Sequence, residues 1–303
     1  MNVEYIFLQC QHCAKLVSSL FIGKRGGSIS TYSGLQSCSL SRDHSYLNSL
    51  LHHLSSPNMS AIIFLIKLIL AVILLPLHIL YYFGIWGLVL KKVFPLFLSK
   101  VSISYNEVME KQKRNLFSNL SDFVSSSKEL RLLEIGCGTG ANFKFYPKEC
   151  RVTCLDINPN FKQFLIKSLA ESDHLKFDGF LVASADSMTP IADASMDVVV
   201  CTLLVCSVPN TSAVLKEVKR ILKPGGAFFF IEHVASTDES SWISFFQKVL
   251  NPTWQLFFDG CSLQKATWKD LDDAKFSELN IRHIMAPTSW RLIKPHIIGY
   301  AIK

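Results

Sequence analysis

Charged residues are scarce in this sequence, and no long run of one sign occurs. They make up 18% of the chain against 49% hydrophobic residues, a balance shifted toward apolar for a soluble enzyme. The formal charge is +7, but the lysines and arginines are scattered and form no RNA-binding motif. We therefore expect no nucleic-acid partner, and we expect the excess positive charge to favour anionic lipid surfaces.

The sequence also lacks the cysteine pattern of a disulfide-stabilised protein. Its nine cysteines are odd in number, and Cys154, Cys201 and Cys206 fall in predicted core strands. Cys10 and Cys13 form a Cys-x-x-Cys pair, but no second pair and no closely spaced histidine pair follows at a metal-site distance. These patterns predict a reducing compartment and no metal site.

No sustained hydrophobic period occurs in residues 1–58, where serine, histidine and glycine recur. Such a composition is a poor basis for a packed core. We interpret this segment as an irregular, disorder-prone leader. Met59 precedes a sharp change in composition, so the presence of the leader in the mature protein stays open.

An almost continuous apolar run follows from Ala61 to Leu90, longer than the roughly 20 residues that one membrane span needs. We interpret residues 59–93 as a hydrophobic membrane anchor, either one tilted helix or a hairpin broken near Pro76. Three lysines follow closely and place the rest of the chain in the cytosol; they are Lys91, Lys92 and Lys100.

Residues 94–130 are predicted as a helical linker, because Leu116, Leu120 and Phe123 recur at helical spacing. This linker is expected to pack on the enzyme domain that follows, or to cover its ligand.

A short apolar strand beginning at Arg131 runs into three alternate glycines, which are Gly136, Gly138 and Gly140. Glycines let the backbone turn sharply and turn main-chain N–H groups toward a ligand. Glu134, just before the turn, can accept hydrogen bonds from a nucleoside. The same residues also fit the dinucleotide-binding pattern G-x-G-x-x-G/A, so the turn alone does not identify the ligand.

Strands and helices alternate after this turn, as in an open α/β sheet. The predicted strands are 151–156, 180–183, 196–202, 227–231, 281–285 and 296–302. Helices are predicted at 159–172 and 211–222, and amphipathic segments at 242–258 and 269–276. Five parallel strands closed by a late hairpin leave no room for the sixth parallel strand of a two-half dinucleotide domain.

This arrangement resembles the class I S-adenosylmethionine methyltransferases, whose last strand is antiparallel. Five motifs occur in the order typical of that superfamily: Glu134–Gly140, Asp156, Asp186, Asp197 and Leu222–Gly226. The resemblance implies a Rossmann-like α/β methyltransferase domain over residues 131–303, with a mostly parallel sheet.

Further segments resemble the membrane-bound thiol methyltransferases, also called the methyltransferase-like 7 family. They are Ala141–Phe143, Val198–Leu203 with Cys206–Val208, Glu232–Val234 and Phe258–Cys261. The resemblance runs from about Met59 to the end, and the first 58 residues depart from it. It implies a protein anchored in the endoplasmic reticulum membrane and on lipid droplets, with its catalytic domain in the cytosol.

The same resemblance implies S-adenosyl-L-methionine as the cofactor. The backbone of 136–140 is expected beside its methionine part, Asp156 at both ribose hydroxyls, and Asp186 with Ser187 at the adenine. The predicted cofactor-binding residues are Glu134, Gly136, Cys137, Gly138, Gly140, Asp156, Ile157, Asp186, Ser187 and Cys201. The two cysteines are expected as small packing residues, since methyl transfer needs no enzyme thiol.

Methyl transfer from a sulfonium to a thiolate removes two opposite charges, so a water-poor pocket favours it. The remaining tasks are alignment and deprotonation of the thiol. His233 follows the fifth strand, at the sheet edge where ligands bind, and is the predicted proton acceptor; the alternative is a structural role at the strand end. By resemblance, the loop with Asp259 and Cys261 lines the substrate pocket.

The sequence thus predicts methyl transfer to small lipophilic thiols at the cytosolic face of a membrane. Membrane lipids are expected partners of the anchor. Two alternatives stay open. One is a membrane methyltransferase acting on a lipid, sterol or quinone, and the other is a non-catalytic lipid-droplet protein.

Overall fold

The computed structural model describes residues 57–124 and 129–303. Residues 1–56 of the predicted leader, which include Cys10 and Cys13, lie outside the described residues. Helix α1 spans Pro57–Ile73, so the helical region begins two residues before the predicted start of the anchor at Met59.

Seven strands form one sheet in the order β3-β2-β1-β4-β5-β7-β6. Their bounds are Arg131–Ile135 (β1), Arg151–Asp156 (β2), Lys176–Val182 (β3), Met196–Thr202 (β4), Leu222–His233 (β5), Glu278–Met285 (β6) and Pro295–Ile302 (β7). Strands β1 to β5 pair in parallel, and β7 is antiparallel to both of its neighbours. The predicted mostly parallel sheet with a late antiparallel strand is confirmed. Strand order reverses between β1 and β4, and ligands bind at such a switch point.

Strand β4 lies at the centre because it is apolar on both faces. Val198 and Val200 pack in one core layer, and Val199 and Cys201 pack in the layer on the other side. All four residues have no exposed surface. A central parallel strand has this continuous apolar character, whereas an edge strand alternates.

Helices cover both faces of the sheet. Their bounds are Lys162–Ala170 (α4), Thr211–Ile221 (α5), Trp242–Phe257 (α6) and Thr267–Asp273 (α7). Buried α4 residues belong to one core layer, while buried α5 and α7 residues belong to the other. Helix α5 begins where the Asn210 side chain accepts the Ala213 N–H at 3.0 Å, as an N-cap residue does.

The apolar N-terminal run is bent. Helix α2 spans Leu75–Tyr82 and α3 spans Ile85–Phe117. Among the described residues no single helix is both long and apolar enough to cross a membrane. The pair Ser60–Ile73 and Leu75–Tyr82, bent by 71°, meets that test by length and composition. Pro76 explains the break, because proline lacks an N–H and its ring clashes with the preceding turn.

Helix α3 passes without interruption through the predicted boundary between anchor and linker at residues 93 and 94. A short 3-10 helix, Ser118–Phe123, follows it. Leu116 and Leu120 are buried in the sheet's core layer, and Phe123 packs against it. The linker therefore packs on the enzyme domain, and one continuous helix connects that domain to the apolar segment.

The N-terminal helices contact the enzyme domain and leave much apolar surface exposed. Helix α1 packs on α6, and the Trp86 indole N–H donates to the Leu256 carbonyl at 2.7 Å. On the outer side Phe64, Val72 and Tyr82 are 68%, 64% and 83% exposed. Large exposed apolar surfaces are typical of interaction sites.

Candidate active site

A cavity of about 660 Å³ lies at the carboxyl ends of β1, β2, β4 and β5, with α3 as one wall. Its size is typical of a ligand site. The end near β1 and β2, here the glycine end, is lined by residues 136–139, Asp156 and Ile157. The end near β5, here the aromatic end, is lined by Cys206, His233, Trp254, Phe258, Cys261 and Trp290.

The glycine turn after β1 has the backbone that only glycine adopts readily. Gly138 has φ of 51° and Gly140 has φ of 75°, both in the left-handed region. A Cβ on Gly140 would lie 2.6 Å from the Phe143 ring, which no side chain could tolerate without rearrangement. Gly138 lies on the cavity wall, so the main chain itself is presented to a ligand.

Asp156 ends β2 and fixes this turn. Its two carboxylate oxygens accept the N–H groups of Gly138 at 3.0 Å and Asn158 at 2.9 Å. The side chain is buried but lines the cavity, and burial raises its pKa to about 6. Ile157, beside it, is 56% exposed and also lines the cavity. A carboxylate next to an exposed apolar side chain suits a ribose with its attached base.

Glu134 belongs to a buried polar network at the glycine end. Asn142 donates to Glu134 Oε1 at 2.8 Å and to Thr202 Oγ1 at 3.1 Å. The other oxygen, Oε2, and the Tyr146 hydroxyl are both buried, and neither forms a hydrogen bond of good geometry with the described residues. Burial raises the pKa of Glu134 to about 7.

Lys113 of α3 completes this network and was missed by the sequence analysis. Its ammonium donates to Asn106 Oδ1 at 2.7 Å and Asn142 Oδ1 at 2.6 Å. It is 1% exposed, and burial lowers its pKa to about 7. Met109, Lys113 and Leu116 recur at helical spacing on the buried stripe of α3, a signal that places Lys113 on the domain side.

Three predicted cofactor-binding residues do not line the cavity within the described chain. Asp186 is half-buried and Ser187 exposed, and the wall next to them is formed by residues 183–185. Cys201 is fully buried, and its thiol donates to Glu232 Oε1 at 3.3 Å. The Cys201 side chain points into the core layer, because successive side chains of a strand alternate between its two faces. Cys137, in contrast, lies on the cavity wall and is 4% exposed.

His233 and Cys261 meet at the aromatic end. His233 Nε2 lies 2.9 Å from Cys261 Sγ, and the buried Nδ1 has no hydrogen-bond partner among the described residues. Burial alone would lower the pKa of His233, but the Cys261 sulfur and the Glu232 carboxylate raise it above the usual value. Asp259 also lines the cavity, and burial raises its pKa.

Two further groups surround the Cys261 sulfur. The Trp254 indole N–H donates to it at 3.3 Å, and Cys206 Sγ lies 3.6 Å away. The ligand atoms of Cys206, His233 and Cys261 lie within 4.8 Å of one another, and thiolate and imidazole are donors that zinc accepts. The sequence predicts no metal site, and the zinc content of this cluster tests that expectation.

A second histidine, His296 of β7, supports the same region through a contact with α3. His296 Nδ1 lies 3.2 Å from the Lys294 carbonyl and, as donor there, leaves Nε2 to accept the Tyr105 hydroxyl at 3.0 Å. Burial lowers the pKa of His296 to about 4, so it stays neutral at pH 7. Tyr105 lines the cavity, which ties α3 to β7 across the site.

Comparison with known proteins defines the class. A family model described as a methyltransferase domain matches residues 133–230, from β1 through most of β5. A solved structure of a SAM-dependent methyltransferase from Thermotoga maritima covers 70% of this chain and 98% of that chain, at TM-score 0.47 and 16% identity. The family match, the sheet order and the glycine turn together define an S-adenosylmethionine-dependent methyltransferase.

Curated relatives narrow this class to a family. The chain is 56% identical over 222 residues to thiol S-methyltransferase TMT1A of Homo sapiens, covering 73% of this chain and 91% of that protein. It is 47% identical over 245 residues to thiol S-methyltransferase TMT1B of Rattus norvegicus, covering 81% of this chain and 100% of that protein. The chain belongs to the family of these thiol S-methyltransferases.

The residues at the glycine end fit S-adenosyl-L-methionine, the cofactor of this class. Asp156 would hold the ribose hydroxyls, with Ile157 beside the base. Glu134 and Lys113 present a carboxyl and an amine on the cavity wall, which match the ammonium and carboxylate of the methionine part. When bound, the cofactor supplies a methyl group activated on a sulfonium.

Proposed function

We propose that this enzyme methylates small lipophilic thiols at the cytosolic face of the endoplasmic reticulum membrane and lipid droplets. The observation that carries the proposal is that the glycine end and the aromatic end belong to one cavity. A methyl donor held at the first end would therefore face an acceptor held at the second. The relatives named as thiol S-methyltransferases support a thiol as that acceptor.

The aromatic end supplies the apolar surroundings that this reaction needs. Trp254 stacks on Phe258 with ring centroids 4.0 Å apart, and Trp290 packs edge-on against Phe258 at 5.7 Å. Phe97 of α3 packs on Phe258 at 5.8 Å. Such walls hold an alkyl or aryl group and exclude water, which favours the loss of opposite charges when a thiolate attacks a sulfonium.

His233 is the proposed proton acceptor for the bound thiol. It lines the cavity, and its Nδ1 has no hydrogen-bond partner within residues 57–124 and 129–303. In its neutral form the imidazole can take one proton, at the ring nitrogen that carries none. A free thiol has a pKa of about 8.5, so only modest assistance is needed to form the thiolate at neutral pH.

The membrane part of the proposal rests on α3. The same helix lines the cavity with Phe94, Phe97 and Leu98 and continues back to the exposed apolar helices α1 and α2. A lipophilic thiol dissolved in a bilayer next to α1 and α2 would have a short path to the aromatic end. Lys91 and Lys92 near the start of α3 suit the negatively charged cytosolic surface of a membrane.

An acceptor comparison tests this function. Full-length protein in phospholipid vesicles would be given S-adenosyl-L-methionine and, separately, an alkyl thiol, the alcohol and amine of equal length, a quinol, a sterol and the vesicle phospholipid alone. We expect methylation of the thiol only, because an alcohol yields almost no anion at neutral pH and an amine is mostly protonated. Methylation of lipid, sterol or quinol without any thiol product would replace the proposed acceptor class. Failure to bind the cofactor by calorimetry would support the non-catalytic alternative.

A further inference from the structure

Three polar groups surround Cys261 Sγ. The Trp254 indole N–H donates to it at 3.3 Å, His233 Nε2 lies 2.9 Å away, and the Cys261 thiol donates to Cys206 Sγ at 3.6 Å. Once Cys261 is ionised, its sulfur can accept hydrogen bonds from all three groups, and the thiolate is the nucleophilic form of cysteine. Cys261 is only half-buried and lines the cavity, so a ligand in the cavity can reach this sulfur.

Cys206 is held beside Cys261 by backbone contacts on both sides. The Ser262 N–H donates to the Cys206 carbonyl at 2.9 Å, which joins the two loops at this point. Glu232 accepts the N–H groups of Leu204, Val205 and Cys206 at 3.0, 3.0 and 3.3 Å. The two sulfurs are therefore held in contact because the loops are fixed.

We propose that Cys261 and Cys206 form a thiol–disulfide exchange pair that reduces small lipophilic disulfides entering the cavity. In the first step the Cys261 thiolate attacks one sulfur of the disulfide R–S–S–R. The S–S bond breaks, a mixed disulfide forms on Cys261, and one R–S⁻ leaves. In the second step Cys206 loses its proton, attacks Cys261 Sγ and releases the second R–S⁻. Two thiols R–SH result after protonation, and a Cys206–Cys261 disulfide remains.

The surroundings of the two sulfurs determine which one attacks the disulfide first. Cys261 is half-buried on the cavity wall, whereas Cys206 is only 1% exposed. Cys261 is thus the attacking sulfur, and Cys206 is the partner that resolves the mixed disulfide. A further disulfide needs the dithiol restored by a reducing thiol such as glutathione. This exchange needs no methyl donor, so it is independent of the proposed methylation.

The aromatic walls of the cavity determine which class of disulfide it accepts. Trp254, Phe258 and Trp290 line the space next to Cys261, and they suit alkyl or aryl groups without charge. Exchange would release, inside the same cavity, thiols of the class that the wall accepts.

Peptide mapping of the full-length protein in detergent tests the proposal. Reduced protein without methyl donor would be exposed briefly to dithiodipyridine, quenched with acid and digested for mass spectrometry. We expect a linked peptide pair joining Cys206 and Cys261, with pyridinethione released. Cys206→Ser should instead retain a pyridyl disulfide on Cys261. His233→Gln should slow labelling of Cys261 about tenfold or more at neutral pH, with partial recovery at high pH.

Cys150→Ser is the matched control, because Cys150 is buried away from the cavity. It should give the wild-type linked peptides. Absence of the Cys206–Cys261 linkage in wild-type protein would overturn the proposal, and that result needs no variant to fold. Stoichiometric zinc in the purified protein that protects both cysteines until it is chelated would also overturn it, and would assign the cluster as a metal site.

Discussion

Asparagine in place of Asp156 perturbs the cofactor site at one atom. The carboxylate uses separate oxygens for the N–H groups of Gly138 and Asn158. Asparagine keeps one acceptor oxygen, and its amide nitrogen cannot accept the other N–H. One backbone donor of the turn is therefore orphaned, and the ribose loses an ionised acceptor.

The size of the effect follows from these lost contacts. A hydrogen bond to a charged group contributes about 1.5 to 3 kcal/mol, so the Kd for S-adenosyl-L-methionine should rise about 10- to 150-fold. The orphaned N–H should also lower the free energy of unfolding by about 1 to 3 kcal/mol. Calorimetric titration measures the first effect, and chemical denaturation measures the second.

The pH dependence separates a binding role from a structural one. Burial raises the pKa of Asp156 to about 6, so the ionised acceptor is lost as the pH falls through that value. The contribution of Asp156 to wild-type affinity should therefore fall about tenfold between pH 7 and pH 5. Asp156→Asn should lack this contribution and keep only the pH dependence that Glu134 produces. Asp173→Asn, at an exposed acid, should behave as wild type. Unchanged affinity and slope in Asp156→Asn would refute the ribose assignment.

Three other outcomes are expected. Asn142→Leu should lower the free energy of unfolding by about 3 kcal/mol or more, because Lys113 and Glu134 both lose a buried partner; wild-type denaturation would contradict the network. His233→Gln should reduce thiol methylation about 100-fold at neutral pH and recover partly at high pH, where the thiol ionises unaided; a wild-type pH profile would remove His233 from the reaction. Phe64→Glu combined with Val72→Glu, both on the exposed apolar face, should shift the protein from membrane to supernatant in alkaline carbonate extraction; continued pelleting would argue against these helices as the anchor.

The sheet was predictable because its signals are local. Short apolar segments such as 196–202 and 227–231 predict buried strands. Strand β5, however, begins five residues earlier than predicted, at Leu222, and includes the 223–226 segment that was predicted as a breaker. The predicted third strand, 180–183, was too short, since β3 begins at Lys176. Its first residues are exposed at a sheet edge, so apolar periodicity could not detect them.

The site was less predictable because it depends on contacts between distant segments. Asp156 and Glu134 follow from their places at strand ends, but the pairing of His233 with Cys261 joins β5 to a loop 28 residues later. Cys201 lies one residue from the cavity-lining Thr202, yet its side chain belongs to the core. The helical spacing of Lys113 was not enough to predict it as a site residue, because a lysine on a helix is usually solvated. Its assignment also required the observation that this face of α3 is buried.

The central claim is that one cavity joins the methyl donor to a thiol acceptor, and a direct measurement tests it. Vesicle-reconstituted protein would receive S-adenosyl-L-methionine carrying a deuterated methyl group with an equimolar mixture of octanethiol and octanol, and the products would be analysed by mass spectrometry. The proposed function predicts labelled octyl methyl sulfide without octyl methyl ether, and strongly reduced sulfide with Asp156→Asn when donor is limiting. Equal labelling of both acceptors, or sulfide formation unaffected by Asp156→Asn, would contradict it.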